Sequence, residues 1–376
     1  MEYLVSVVVP TKNRYKYLKE LVALIDGFHL SELELVIQDN SDNNAEILEY
    51  LKGFDNDNIH YYYSTDQLTM STNADAGIRH AQGEYICFIG DDDGVCRNIV
   101  ECVKWMKANG IDGVRTSQTI FTYNDASENP SKLSIFYQGN VAKLENPMSR
   151  LRQAMCRGLV LSDCHIPMVY QSIIKKSILD IIFKKGGTHF PGVVPDVSGG
   201  VCSCFELKKY AVVGVPVVIN GLSSSGSGGV NKQKANGVLN LEEVKFIKQE
   251  DRDDWDNRLP RIWYSSFVWS DAGIKALVYM GAKEMADKVN VEYSLARALR
   301  YHPWLKTEIV KASRNRLALC YWCVWQTVRR YWNALLNRTV KRQHFTIKYD
   351  LNSIEACENF ISGRVGGSTF SGIIIR

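Results

Sequence analysis

One stretch decides the fold of this chain: Gly83–Asp93, with the sequence GEYICFIGDDD. Its short apolar run predicts a strand that is buried on both faces of a parallel sheet. The three carboxylates Asp91, Asp92 and Asp93 would then lie at the carboxyl end of that strand, where open α/β sheets bind their ligands. Because adjacent anions repel one another, a hard divalent cation between them would stabilise the triplet. The triplet alone also fits an acidic turn that closes the strand.

Strands and helices alternate ahead of this stretch. The β-branched run Val5–Val9 predicts a buried strand that Pro10 ends, and apolar residues at helical spacing predict a helix over Tyr15–Phe28. The pattern then repeats, with strands predicted at Glu34–Gln38 and Ile59–Tyr63 and helices at Ala45–Leu51 and Asn73–Gln82. This β-α-β-α-β-α-β order predicts an α/β fold whose parallel sheet carries helices on both faces.

Polar side chains fall at the carboxyl ends of three of these strands. Thr11 and Asn13 follow the first predicted strand, Asp39 follows the second, and Asp91–Asp93 follow the fourth. Because such ends meet along one edge of a doubly wound sheet, we expect these side chains to share a crevice.

The composition limits the class of protein. The chain has 376 residues, of which 45% are hydrophobic and 23% charged, as in ordinary globular proteins. A net charge of +4 is too small to indicate nucleic-acid binding, and no nucleic-acid motif accompanies it. The N-terminus shows no basic stretch followed by a long apolar run, so we expect no signal peptide. The ten cysteines lack the spacing of a zinc site or a disulfide framework, which favours reduced thiols and a cytoplasmic location.

The first hundred residues resemble the family 2 glycosyltransferases, which have the GT-A fold. Val7–Arg14 is similar to the opening strand and nucleotide loop of that family, and Val36–Ser41 to its second strand. Ala76–Ile86 is similar to the helix-to-strand approach, and Asp91–Asp93 to the metal motif. Two positions depart from the pattern, since the family often has Asn at Asp75 and Asp at Gly90.

The resemblance implies an inverting, metal-dependent glycosyltransferase with a GT-A-like, Rossmann-type nucleotide-binding sheet. Its cofactor would be Mn²⁺ or Mg²⁺, held by Asp91 and Asp93, which neutralises the departing nucleoside diphosphate. The residues that would bind the nucleotide sugar, a UDP-sugar by resemblance, are Pro10, Thr11, Asn13, Arg14, Asp39, Asp91 and Asp92. The acceptor would be a glycan or a polyprenyl-diphosphate-linked saccharide in bacterial surface polysaccharide synthesis.

The resemblance also requires a base that deprotonates the acceptor hydroxyl. Asp196 is our candidate, because it lies in a predicted loop, Pro191–Gly200, at about the distance from the metal motif that the family shows. The structural alternative for Asp196 is a helix N-cap. Glu206 is the reserve candidate, although its neighbours Lys208 and Lys209 favour a solvated helix face.

Two histidines and one loop have weaker signals. His165 and His189 would hold a donor phosphate or an acceptor hydroxyl, although packed structural histidines are the commoner case. The Ser/Gly-rich loop Ser223–Gly229, followed by Lys232 and Lys234, fits a lid over the diphosphate as well as it fits a passive linker.

We expect a catalytic domain over residues 1–238, made of a nucleotide-sugar half (1–113) and an acceptor half (114–238). Residues 239–376 are expected to be mostly helical. Within them, Arg314–Trp332 interleaves Trp, Tyr and Leu with Arg, and Arg338, Lys341 and Arg342 follow. The apolar core is too short to span a bilayer but suits a helix at an anionic membrane surface. A core helix or a contact with a second copy of the chain is the alternative.

Two other functions fit part of the sequence. A sugar-phosphate nucleotidyltransferase also uses a parallel sheet and metal-binding acids, but the loop Pro10–Arg14 lacks the glycines of its phosphate loop. A catalytically inactive nucleotide-sugar or glycan-binding module would be expected to have lost the acids, and Asp91, Asp92 and Asp93 are all present.

Overall fold

A computed structural model describes residues 3–126, 130–224, 238–244, 247–339, 345–365, 370 and 372–375. Its strands are β1 (Val5–Thr11), β2 (Leu33–Asp39), β3 (Ile59–Tyr63), β4 (Tyr85–Phe88), β5 (Gly94–Val95), β6 (Gly113–Arg115), β7 (Thr119–Thr122), β8 (Lys132–Phe136), β9 (Val141–Glu145), β10 (Ser172–Lys175), β11 (Tyr210–Val213), β12 (Val218–Leu222), β13 (Leu239–Asn240), β14 (Ile262–Trp263), β15 (Phe345–Tyr349) and β16 (Ile374–Ile375). The helices of the first 238 residues are α1 (Tyr15–Asp26), α2 (Ala45–Leu51), α3 (Met70–His80), α4 (Ile99–Ala108), α5 (Pro147–Met155), α6 (Lys176–Gly186) and α7 (Pro195–Glu206).

The main sheet contains the predicted alternation of strands and helices. Within the described residues, nine strands pair in the order β16-β9-β11-β6-β10-β4-β1-β2-β3. The pairs β4–β1, β1–β2 and β2–β3 are parallel, and β10 then joins β4 in the antiparallel direction. The predicted α/β class is therefore confirmed, with a mixed rather than purely parallel sheet.

The first strand is longer than predicted, because Pro10 does not end it. Pro10 pairs with Gln38, and Thr11 with Asp39. A proline is tolerated in a strand where its missing N–H faces no partner. On its other side β1 pairs with β4 only as far as Val8 and Phe88, so no strand of that side reaches Pro10.

Alternate residues of the strands face two separate cores. Val8 contributes to the core formed with α3 and α5–α7, whereas Val7 and Val9 contribute to the core formed with α1 and α4. All three valines are fully buried. Burial on both faces of the sheet explains why β1 is a continuous apolar run rather than an alternating one.

A second sheet in the described residues has the order β15-β8-β7-β12-β5. It brings β12 against the acidic triplet at very close range. A Cβ added at Gly221 would lie 1.7 Å from the backbone oxygen of Asp92, so no larger residue fits there without moving the backbone. The close approach of β12 positions one wall of the site described below.

The region after residue 238 is mostly helical, as predicted. Its helices are Gln249–Asp253, Ser265–Tyr279, Lys283–Asp287, Val291–Tyr301, Lys306–Ala312, Arg316–Thr339 and Ile354–Val365. The end of the chain returns to the first region: β15 pairs with β8, and β16 pairs with β9. The division at residue 238 stays a prediction, but the last described segments add strands to the N-terminal sheets. No described helix combines the length and the apolar composition needed to cross a bilayer.

Candidate active site

The acidic triplet follows β4 directly, at the carboxyl end of the parallel strands. The backbone N–H of Ile89 still donates to the carbonyl of Val8, and the chain turns away at Gly90. Asp91, Asp92 and Asp93 are all buried, the most exposed being Asp92 at 6%. The predicted strand thus places all three carboxylates at the expected edge of the sheet.

Arg14, in the loop after β1, forms ion pairs with two of these carboxylates. Its Nη1 lies 2.7 Å from Oδ1 of Asp91, and its Nη2 lies 2.7 Å from Oδ2 of Asp92. The hydroxyl of Thr11 donates to the other oxygen of Asp91 at 2.7 Å. Arg14 Nη2 also donates to the hydroxyl of Ser223 at 2.6 Å, and that hydroxyl donates to Asp92 at 2.5 Å. The predicted nucleotide loop and the triplet therefore form one polar cluster.

Asp93 points into a different environment. Its oxygens accept hydrogen bonds from the N–H groups of Gly90 (2.8 Å) and Gly221 (2.7 Å), from the hydroxyl of Tyr170 (2.8 Å) and from the amide of Gln171 (3.0 Å). No surface of Asp93 is exposed to solvent. Four donors on one carboxylate make it an anchor that joins β4, β12 and the segment before β10.

Burial dominates the electrostatics of the triplet. It raises the pKa of Asp91 to about 7, against the opposing effect of the Arg14 guanidinium. Burial, and then the neighbouring charge of Asp92, raise the pKa of Asp93 to about 7. The cluster therefore holds less negative charge near neutral pH than three exposed aspartates would.

A divalent cation fits beside Asp91 and Asp92 rather than beside Asp93. Oδ1 of Asp91 is buried and, among the described residues, accepts no hydrogen bond of good geometry, although it forms the ion pair with Arg14. Both oxygens of Asp93 already accept hydrogen bonds. A cation between Asp91 and Asp92 would take the place of the Arg14 guanidinium. Within the described part of the chain, no group of three or more His, Cys, Asp or Glu side chains is arranged to hold a metal ion.

The other predicted nucleotide residues lie close to this cluster. Asp39 ends β2 and is fully buried, and it accepts hydrogen bonds from the hydroxyls of Tyr15 (2.6 Å) and Tyr61 (2.7 Å). Asn13 adopts a φ of 58° and donates through its side chain to Asp42 at 2.9 Å. These contacts fix the loops around the crevice, and Asp39 has a structural role in addition to its predicted contact with the nucleoside.

Asp196 lies at the start of a helix rather than in a loop. The sequence predicts a loop over Pro191–Gly200, but α7 begins at Pro195, because proline suits the first helical position, where its N–H is not needed. The N-cap is Val194, so Asp196 lies in the first turn and is not the cap itself. Burial raises the pKa of Asp196 to about 6. Burial, Asp93 and Asp196 together raise the pKa of Tyr170, which shows that the carboxylate of Asp196 faces the same site.

Three residues of the site have no local signal in the sequence. Tyr170 and Gln171 precede β10, and Gln171 adopts a φ of 56°, which is uncommon for a residue other than glycine. The amide of Asn220 donates to Oε1 of Gln171 at 2.8 Å and so orients the amide that binds Asp93. Such contacts join residues far apart in sequence, and only the folded sheet brings them together.

The weaker candidates have structural partners. His189 is buried, and its Nδ1 lies 2.8 Å from Oδ1 of Asp75, which also accepts from the His189 backbone. His165 Nδ1 lies 3.2 Å from Nη1 of Arg115. Glu206 forms an ion pair of 3.3 Å with Lys185. Of the predicted lid, Ser223 and Ser224 belong to the described residues, while the rest of the loop, with Lys232 and Lys234, lies outside them.

The sequence is similar to known glycosyltransferases over its N-terminal part. Residues 6–182 match the family model described as glycosyl transferase family 2. A GalNAc(5)-diNAcBac-PP-undecaprenol beta-1,3-glucosyltransferase of Campylobacter jejuni is 31% identical over 91 residues, which are 23% of this chain and 29% of that protein. The glycosyltransferase GlyG of Streptococcus pneumoniae is 33% identical over 103 residues, 27% of this chain and 34% of that protein. The matches thus span about a third of the length of these curated relatives.

Two solved structures illustrate the likeness of fold. S. aureus TarS 1-349 in complex with UDP-GlcNAc has a TM-score of 0.47 and 15% identity, with 82% of this chain and 89% of that chain covered. The mannosyltransferase PcManGT from Pyrobaculum calidifontis, in complex with GDP-Man and Mn²⁺, has a TM-score of 0.39 and 14% identity, with 91% and 89% covered.

Proposed function

We propose that this chain, whose residues 6–182 belong to glycosyl transferase family 2, moves a hexosyl or N-acetylhexosaminyl group from a UDP-sugar to a saccharide acceptor. The acceptor we propose is linked to a polyprenyl diphosphate at the inner face of the cell membrane. Synthesis of a bacterial surface polysaccharide, an O-antigen or a capsule, is the corresponding process. The Campylobacter relative, named for an undecaprenol-linked substrate, supports this choice of acceptor.

The observation that carries the proposal is the polar cluster at the carboxyl ends of β1 and β4. Arg14 lies there between Asp91 and Asp92, with the hydroxyls of Thr11 and Ser223 beside them. A cation and hydroxyl donors at this edge of the sheet suit the diphosphate of a nucleotide sugar. Pro10, Asn13 and Asp39 would border the nucleoside.

On the acceptor side, Asp196 is the proposed base. Its pKa of about 6 leaves the carboxylate ionised at neutral pH, yet more basic than an exposed aspartate. It would accept the proton of the acceptor hydroxyl as the oxygen attacks the anomeric carbon and the bond to the diphosphate breaks. Attack from the face opposite the leaving group inverts the configuration at that carbon.

Mn²⁺ or Mg²⁺ remains part of the proposal, with Asp91 and Asp92 as its holders and Asp93 as the anchor beneath them. When bound, such an ion neutralises charge on the departing diphosphate. Independently of the ion, Thr11 fixes the orientation of the Asp91 carboxylate, and Arg14 is near enough to the same cluster to contact a diphosphate.

The experiment that tests the function is a nucleotide-release assay with UDP-glucose and UDP-N-acetylglucosamine, with and without Mn²⁺. It is paired with thermal melting in the presence of UDP, GDP, CMP and dTDP. A UDP-sugar that stabilises the protein and is turned over supports the proposal. Stabilisation by another nucleotide would overturn the choice of UDP. Binding without turnover, under any metal condition, would instead favour a nucleotide-sugar-binding module.

A further inference from the structure

The helix Arg316–Thr339 exposes a large apolar surface to solvent. Six side chains, here called the apolar stripe, are between 58% and 85% exposed: Leu317, Tyr321, Val324, Val328, Tyr331 and Trp332. At about 100° per residue these positions fall within about 100° of arc on one face of the helix. Large apolar residues scattered singly on a surface are ordinary, but a contiguous stripe of six indicates a contact surface.

The opposite face of this helix is fixed by packing. Leu319 and Gln326 are both 4% exposed, and the amide of Gln326 donates to the backbone oxygen of Tyr293 at 3.0 Å. The ring of Trp322 packs edge-on against Tyr293, with 5.1 Å between centroids. Because these contacts set the rotation of the helix, the apolar stripe must point away from the protein.

The sequence around the stripe carries positive charge only. Between Glu308 and Asp350 it contains no Asp or Glu. The basic residues of that interval are Lys311, Arg314, Arg316, Arg329, Arg330, Arg338, Lys341, Arg342 and Lys348. Arg314, Arg316 and Arg330 are exposed in the structure. An apolar face with aromatic residues, set in a basic and acid-free segment, is complementary to an anionic lipid surface.

We propose that the apolar stripe is a membrane-docking face that lies in the interface of a bilayer containing anionic lipid. The helix has 24 residues, so about 36 Å of it would lie along the surface. A second copy of the chain is a poorer occupant, because a symmetric pairing of the stripe would bring two basic, acid-free segments together. Docking here would hold the catalytic region near a lipid-linked acceptor, but it does not depend on the proposed transfer reaction.

The test measures binding to vesicles without any sugar donor. The full chain is sedimented with vesicles of phosphatidylcholine and phosphatidylglycerol in equal amounts, and with vesicles of phosphatidylcholine alone. The variant Val324→Glu/Val328→Glu places two acids in the stripe. Leu48→Glu/Val278→Glu is the matched control, since both of its positions are exposed helical residues outside the stripe. Thermal melting of each variant verifies folding, and the serine pair Val324→Ser/Val328→Ser replaces the glutamates if folding fails.

We expect the wild type and the control to bind the anionic vesicles and to lose binding as salt rises. The stripe variant should bind at least about tenfold more weakly. Equal binding by the stripe variant and the control would overturn the proposal. So would the absence of vesicle binding together with a wild-type dimer, seen by sedimentation velocity, that the stripe variant dissociates. Because no donor is present, a failed transferase assay would leave this result unaffected.

Discussion

The guanidinium of Arg14 lies 2.7 Å from the carboxylate of Asp91, and the same guanidinium reaches Asp92. Two buried carboxylates in neighbouring positions repel each other, and Arg14 offsets that repulsion from within the protein. Since a divalent cation would favour the same pair, Arg14 and a metal ion compete for one place. The residue that neutralises the site in this structure is thus also the residue that a metal must displace.

This competition predicts that removing the guanidinium strengthens metal binding. In Arg14→Gln we expect Mn²⁺ to bind about tenfold more tightly than in the wild type, because Asp91 and Asp92 lose their internal partner. Titration calorimetry with Mn²⁺ measures the change directly. Arg152→Gln is the matched control, since Arg152 is exposed on α5 and should leave Mn²⁺ affinity unaltered. An unchanged or weaker affinity in Arg14→Gln would show that Arg14 does not compete with the metal.

Asp93 is predicted to act on stability more than on ligand binding. In Asp93→Asn the new amide N–H₂ would face donors that now contact a carboxylate, among them the N–H of Gly221 and the hydroxyl of Tyr170. We expect a loss of about 1–3 kcal/mol in the free energy of unfolding, measured by urea denaturation. Asp92→Asn, whose carboxylate faces Arg14 and Ser223, should lose less stability. Equal losses in the two variants would contradict the division of roles.

Gly221 gives a sharper structural prediction. A Cβ at this position would lie 1.7 Å from the backbone oxygen of Asp92, so Gly221→Ala must push β12 away from the triplet. We expect a loss of stability of about 2 kcal/mol or more and weaker binding of the donor nucleotide. Gly363→Ala is the control, because nothing lies within 4 Å of a Cβ there and alanine favours the helix. Thermal melting with and without UDP measures both effects, and a Gly221→Ala protein as stable as Gly363→Ala would refute the close approach.

The first half of the sheet could be predicted because its signals are local. Continuous apolar runs gave β1, β2 and β3, and helical spacing gave α1 and α2. Pro10 was interpreted too simply, since whether a proline ends a strand depends on which neighbour its missing N–H would face. That neighbour, β4, lies far away in sequence, so only the assembled sheet decides the outcome.

The site was predictable in part for the same reason. The carboxyl ends of β1 and β4 meet, which brings Thr11 and Arg14 to Asp91 as the strand order predicts. The partners of Asp93 were not predictable, because Tyr170 and Gln171 come from a segment whose antiparallel pairing has no local signal. Which member of an acidic triplet faces solvent depends on such distant donors.

The pH dependence of turnover offers a test of Asp196. Its pKa is raised from 3.8 to about 6 in the folded protein, so the carboxylate keeps its proton until the pH approaches 6. We therefore expect turnover to rise between pH 5 and 7, written as about pH 5 to 7, as the base form appears. Asp196→Asn should lower turnover by about 10²–10⁴-fold while UDP still binds, and Glu206→Gln should leave turnover unchanged.

Stability provides the control for that pH profile, because it changes in the opposite direction. A carboxyl whose pKa is higher in the folded than in the unfolded state favours folding most below the unfolded value of 3.8, and this contribution is lost as the pH rises through about 6. Protonation of Asp196 therefore lowers activity without unfolding the protein. Thermal melting of the wild type and Asp196→Asn at the assay pH values separates the two effects. If turnover has no acidic limb near pH 6, or if Asp196→Asn retains full turnover, Asp196 is not the base.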